Sequence, residues 1–165
     1  ENPEMSDFKY LGGDEILSKY VNNSSFLVTI GQIKSYKKRK ELFDYLNSLN
    51  ADLLLIKSSN SYVSQNSIIN AGTIVMHKVV IQSNVKIGHN CIINDMALIE
   101  HDCIIGNHCH ISTGAIINGQ VKIGDGVFIG SSAVIRNGIT IADNCIIGMG
   151  QVVKHDVLKN NTIIK

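Results

Sequence analysis

From Val63 to Val153 every sixth residue is Ile or Val, with no interruption. A period of six matches neither the 3.6-residue repeat of a helix nor the two-residue alternation of a half-buried strand. It fits a coil whose sides are each about six residues long and send one large side chain inward. β-branched residues favour extended backbone and pack well on such a surface. Four residues after each aliphatic comes a second apolar position: Cys91, Ala97, Cys103, Cys109, Ala115, Val121, Val127, Ala133 and Cys145, with Ile139 the largest. A bulky column beside a small one predicts a mainly β solenoid with a continuous core.

The small column absorbs all four cysteines. No Cys-x-x-Cys pair occurs, so they read as buried, inert thiols. The residue just after the aliphatic is often Gly (Gly88, Gly106, Gly124, Gly130, Gly148) or Asn (Asn70, Asn94, Asn118). These types tolerate left-handed backbone, and we expect them to turn the corners there.

Residues 1–60 are organised differently, and the expected boundary places the solenoid at 61–165. Phe26 to Ile30 is a short apolar run ending at Gly31-Gln32. Ser35 to Asn50 carries Tyr36, Leu42, Phe43, Leu46 and Leu49 on a helical stripe, and Leu53 to Ile56 is apolar again. Strand, helix, strand predicts a βαβ unit of Rossmann-like type, too small to be complete. Parallel sheets bind ligands at the carboxyl ends of their strands, which makes Gly31 and Gln32 candidate substrate contacts.

The formal net charge of +1 argues against a nucleic-acid binder. The one basic cluster, Lys34 to Lys40, reads as a solvated helix face. No apolar run reaches the roughly 20 residues that span a bilayer. A cytoplasmic location is the expectation.

The repeat, [Ile/Leu/Val]-Gly-x-x-x-x, resembles that of the left-handed parallel β-helix, in which three hexads make one triangular coil. The chain as a whole resembles the sugar O-acyltransferases of the sialic-acid O-acetyltransferase and bacillosamine-pathway N-acetyltransferase type. The matching segments are Glu1-Asn2-Pro3, Thr29-Ile30-Gly31, Ile99-Glu100-His101-Asp102, Gly106 to Ser112 and Gly119 to Gly124. Lys57-Ser58 stands where many relatives carry His-Pro, and the family's closing Gly-x-Pro-Ala-Lys is not reached. The family's first strand and Gly-x-Ser-Gly-His-Gly loop would precede Glu1, so we expect acceptor-side sequence upstream.

The resemblance implies transfer of an acetyl group from acetyl-CoA to a sugar or nucleotide-sugar, in clefts between the helices of a homotrimer. By it, His101 is the general base and Asp102 its orienting carboxylate. Gly119 lies at the backbone donor for the thioester oxygen, and His110, Ser131 and Met149 contact acetyl-CoA. Asn94 lies near the acceptor group, and His101 and His110 would meet across a subunit interface. The residues alone support part of this, because a carboxylate beside an imidazole fixes its tautomer and raises its basicity. His77, His89 and His101 are twelve residues apart and should project from three different sides, so no metal site within the chain is expected. The other histidines read as surface residues. N-acetylation of a nucleotide-linked amino sugar, in bacterial surface-glycan biosynthesis, is the leading expectation. O-acetylation of a sialic-acid-type sugar, a non-catalytic trimeric scaffold, and a metalloenzyme with ligands shared between subunits stay open.

Overall fold

Pairing between residues 18 apart dominates the computed structural model, which describes residues 9–165. Leu98–Ile99 pairs in parallel with Val80–Ile81 on one side and Ile116–Ile117 on the other. Eighteen residues are three hexads, so each coil has three sides and each side is a stack of two-residue strands. The first face runs from Ile56–Lys57 to Ile163–Ile164 in seven strands, the second from Tyr62–Val63 to Val152–Val153 in six, the third from Ile68–Ile69 to Thr140–Ile141 in five. About six coils result.

Both expected columns point inward. Val75 to Val153 of the aliphatic series are buried, and Val63 and Ile69 are partly buried at the first coil. Removing an Ile side chain from water contributes roughly 1.5–3 kcal/mol, so the column is the main stabilising element. Cys91, Cys103, Cys109 and Cys145 are fully buried and unpaired. Their thiols face carbonyls of the next coil: Cys103 Sγ lies 3.1 Å from the Asn118 oxygen and Cys109 Sγ 3.0 Å from that of Gly124. Burial pushes the Cys103 thiol up to about 11.

The corners are turned differently from expectation. Left-handed backbone falls three residues after the aliphatic, at Gly72, Lys78, Asn84, Asn90 and onward every six residues to Gly150. Gly88, Gly106, Gly124, Gly130 and Gly148 are not in that conformation. Several of them are glycine because successive coils touch there: a Cβ on Gly88 would lie 2.6 Å from the Gly106 backbone, and one on Gly130 2.5 Å from Met149 N. Stacking distance, not dihedral angle, selects them.

Before the solenoid, β1 (Ser25–Phe26) pairs in parallel with β2 (Asp52–Leu53), and α1 (Lys37–Ser48) connects them. The order strand, helix, strand is as expected, but each strand has only two residues and a two-stranded sheet does not establish a Rossmann-like domain. Ile56 does not extend β2; it pairs with Ile74 and opens the first face ahead of the boundary at residue 61. Helix α1 lies along the corner between the third and first faces. Phe43 presses on Gly72, Arg39 on Asn90 and His108, and Tyr36 on Gly126. Residues 36, 39 and 43 share one helix face, and all four partners occupy the left-handed position of successive coils. Arg39 is therefore buried, against the expectation of a solvated basic face. Lys34, Lys37 and Lys38 do face solvent. His108, expected at the surface, is buried under the same helix, with Phe43 edge-on at 5.6 Å.

Candidate active site

The corner between the second and third faces carries His101. At most corners the N–H three residues after the aliphatic bonds the carbonyl of the coil before, as Asp102 N does to Ser83 O and Gln120 N to His101 O. The N–H one residue earlier has no backbone acceptor. At several corners a side chain of the next coil caps it: Asp95 on His77, Asn107 on His89, Asp125 on Asn107 and Asp143 on Asp125. Gly119 can offer His101 no such cap, and the Gly119 N–H itself donates to no group among the described residues. A free backbone donor at this point is what a developing oxyanion requires.

His101 lies over that glycine. A Cβ on Gly119 would come within 2.7 Å of His101 Nε2 and Cε1. On its other side the imidazole Nδ1 is 2.9 Å from Asp102 Oδ2, and Asp102 Oδ1 accepts from Asn84 Nδ2 at 3.1 Å. These two bonds, His101 first, hold the Asp102 carboxyl below its ordinary value. Asp102 has φ +61°, and that left-handed turn brings the carboxylate back beside the preceding ring. A charged carboxylate accepts only, so the neutral imidazole carries its proton on Nδ1 and Nε2 is free to receive one.

The second face beyond this corner forms a groove of about 500 Å³, lined by Asn118, Val134, Arg136, Asn137, Val152, Lys154 and His155. It starts next to Gly119. Its valines suit an apolar arm, and Arg136, Lys154 and His155 suit phosphate groups. That donor set fits acetyl-CoA, which has both parts. Arg136 and Lys154 occupy the same register one coil apart, directly after Ile135 and Val153. The sequence reading did not single them out, although equal hexad position with equal charge was a visible signal.

Ser131 and Met149 stand on the opposite rim of this face, at the corner between the first and second faces. Ser131 Oγ is 3.0 Å from Ser112 Oγ, and Met149 is largely exposed. Asn94 is at the same corner nearer the N-terminal end, where its Oδ1 accepts from the Asp95 N–H at 2.9 Å. The structure thus groups His101, Asp102 and Gly119 at one edge of the second face and Ser131, Met149 and Asn94 at the other.

His110 belongs to neither edge. It is on the first face, opposite the His101 corner in the triangular section, and is buried with Nδ1 2.7 Å from the Gln32 carbonyl. Burial holds its pKa below the ordinary value. Gln32 is buried as well, its amide engaged by Arg39 and by the Gly126 carbonyl, whereas Gly31 is open, with no atom within 4 Å of a built Cβ. His77, His89 and His101 occupy three different corners. Among the described residues no group of three or more His, Cys, Asp or Glu could hold a metal ion. Among the same residues no helix is long and apolar enough to cross a membrane. The Glu1-Asn2-Pro3 segment lies outside the described residues.

The three-sided coil of parallel two-residue strands matches the left-handed β-helix of known acetyltransferases. Residues 84–119 match the bacterial transferase hexapeptide family (six repeats), and residues 120–154 match the hexapeptide repeat of succinyl-transferase. The chain is similar to a variant of perosamine N-acetyltransferase from Caulobacter crescentus in complex with CoA and GDP-perosamine. That match has 27% identity and a TM-score of 0.85, and covers 92% of this chain and 71% of that one. It is also similar to the acetyltransferase domain of PglB from Neisseria gonorrhoeae in complex with acetyl coenzyme A. There the identity is 25% and the TM-score 0.89, over 96% of this chain and 76% of that one. A third likeness is to WeeI from Acinetobacter baumannii: 29% identity and TM-score 0.75, over 81% of this chain and 65% of that one. None of the curated proteins matches the sequence. Residues 84–154 thus carry hexapeptide repeats of transferase type, and the chain shares its fold with acetyltransferases.

Proposed function

We propose that this chain transfers the acetyl group of acetyl-CoA to the amine of a nucleotide-linked amino sugar, with His101 as general base. The likeness to perosamine N-acetyltransferase supports the acceptor class. The observation that carries the chemistry is the imidazole set between a carboxylate and a glycine with a free N–H. Acetyl-CoA supplies an activated acyl carbon and a thiolate leaving group. His101 Nε2 takes the proton from the sugar amine as its nitrogen attacks the thioester carbonyl. Asp102 holds the ring in the required tautomer and stabilises the imidazolium that forms. Gly119 N–H faces the negative charge building on the carbonyl oxygen. The C–N bond forms and the C–S bond breaks in one complex. Full burial of every cysteine leaves none to act as nucleophile, which favours this direct route.

The same reading takes the active assembly to be a homotrimer. His101 and His110 are on opposite sides of one coil, so only a neighbouring copy can bring a second His110 towards the first His101. Cyclic symmetry would then give three equal sites. Mass analysis of products from nucleotide-linked 4-amino sugars and their hydroxyl counterparts tests the proposal. Amide product with release of CoA is expected. Ester product alone would overturn amine transfer, and no product on either series would remove the acetyltransferase reading.

A further inference from the structure

Arg39 is 1% exposed, and no carboxylate among the described residues pairs with it. Its guanidinium is shared among amides and carbonyls. Nη1 donates to the Asn90 carbonyl and to Asn90 Oδ1 at 3.2 Å, and Nη2 to Gln32 Oε1 at 2.7 Å and the His108 carbonyl at 2.9 Å. Arginine has donors only, so both amide side chains must turn their oxygens towards it. Their nitrogens then point away from it. Asn90 Nδ2 meets His108 Nδ1 at 2.9 Å, and Gln32 Nε2 donates to the Gly126 carbonyl at 3.2 Å.

These orientations dictate where two protons sit. Asn90 Nδ2 can only donate, so His108 Nδ1 is bare and its proton is on Nε2. Gln32, held at both ends of its side chain, turns its main-chain carbonyl to His110 Nδ1 at 2.7 Å. A carbonyl can only accept, so His110 carries its proton on Nδ1. His110 Nε2 is left buried and unpartnered, as is Arg39 Nε, the two such side-chain atoms among the described residues. A buried acceptor without a donor calls for a function, because leaving it unpaired is costly.

We propose that Arg39 is a positioning residue: through Gln32 it holds His110 in the Nδ1–H tautomer and keeps Nε2 an unprotonated acceptor for the acetyl-transfer complex. The link to catalysis rests on the function proposed above; the tautomer does not. One guanidinium therefore couples docking of the N-terminal unit to the state of a candidate site histidine, and sets His108 to the opposite tautomer.

The test is long-range proton–nitrogen correlation on the full chain labelled with 15N-histidine at pH 7.5, with the two residues assigned from His108→Asn and His110→Asn. Wild type should show His110 protonated at Nδ1 and His108 at Nε2. Arg39→Met should average both histidines between tautomers. Its kcat should fall on the order of tenfold, as for other partners that orient functional histidines, with KM for acetyl-CoA little changed. Arg39→Lys should restore the kcat only in part, since one ammonium cannot fork to both amides. If Arg39→Met does not fold, Gln32→Ala replaces it and should release His110 while His108 keeps its form. A His110 that stays Nδ1–H in the folded variant overturns the proposal. A chain inactive on every amino sugar, but with tautomers that respond as stated, overturns the acetyl-transfer reading and the link to catalysis while the positioning geometry stands.

Discussion

At position 119 the missing side chain has two effects. It gives the His101 ring its place, and it leaves the His101 N–H without the side-chain cap that the next coil supplies at His89, Asn107 and Asp125. Gly119→Ala should therefore displace an exposed imidazole while leaving the core intact. We expect kcat to fall about 100-fold, within the usual range for a mispositioned general base, with unchanged far-UV dichroism. Asp102→Asn keeps the shape but replaces the anionic acceptor, and a similar fall in kcat at unchanged thermal stability is expected; steady-state CoA release measures both. The Glu100-His101-Asp102 segment was legible in the sequence because adjacent charges announce themselves. Arg39 was not. Its burial depends on which face of α1 meets the solenoid, and a run of five basic residues between 34 and 40 gives no sign that one of them turns inward.

At the scale of elements, glycines with the same backbone conformation have different reasons. Gly126 and Gly138 both have positive φ, but a Cβ on Gly126 would meet the Tyr36 ring of the docked segment, and one on Gly138 would meet nothing. Gly138→Ala should cost only the left-handed strain, about 1–2 kcal/mol. Gly126→Ala should cost more and loosen α1 as well; urea denaturation with protease sensitivity near α1 separates the two. The same interface responds to acid. Burial lowers the pKa of His108 and His110, with Lys40 and Arg39 adding to the shift at His108 and Asp44 and Asp125 opposing it. The unfolded chain thus binds protons at higher pH than the folded one. Stability is full above the ordinary histidine value of about 6.5 and declines as pH falls from there towards the lowered folded values. Urea midpoints between pH 7.5 and 5 should show that decline, and His108→Asn should reduce it. The hexad period revealed where strands and core would be, because inward side chains repeat with each side of the coil. It could not reveal the reason for Gly88 or Gly106, since backbone contact between coils 18 residues apart leaves no local pattern.

Across the whole molecule, the three-sided coil separates tasks that a globular fold would mix. The core is a column of nearly identical layers, so damage is local: Ile117→Ala removes one layer's filling and should cost roughly 2–5 kcal/mol by thermal denaturation. The second face presents the basic groove, one corner carries His101, and the first face with its adjoining corner carries the N-terminal unit. The solenoid was readable in the sequence from Val63 to Val153, but not its first strand at Ile56–Lys57 or its last at Ile163–Ile164. The docking of residues 32–46 onto it was not readable, because its contacts join distant positions through Arg39, Gln32 and two rings. What decides the account is whether this scaffold transfers acetyl groups through His101. The direct measurement is the rate of CoA thiol release from acetyl-CoA with a nucleotide-linked 4-amino sugar, for wild type and His101→Ala at equal concentration. Turnover by the wild type and a loss of at least about 100-fold in the variant is the expected result; equal rates in the two would contradict it.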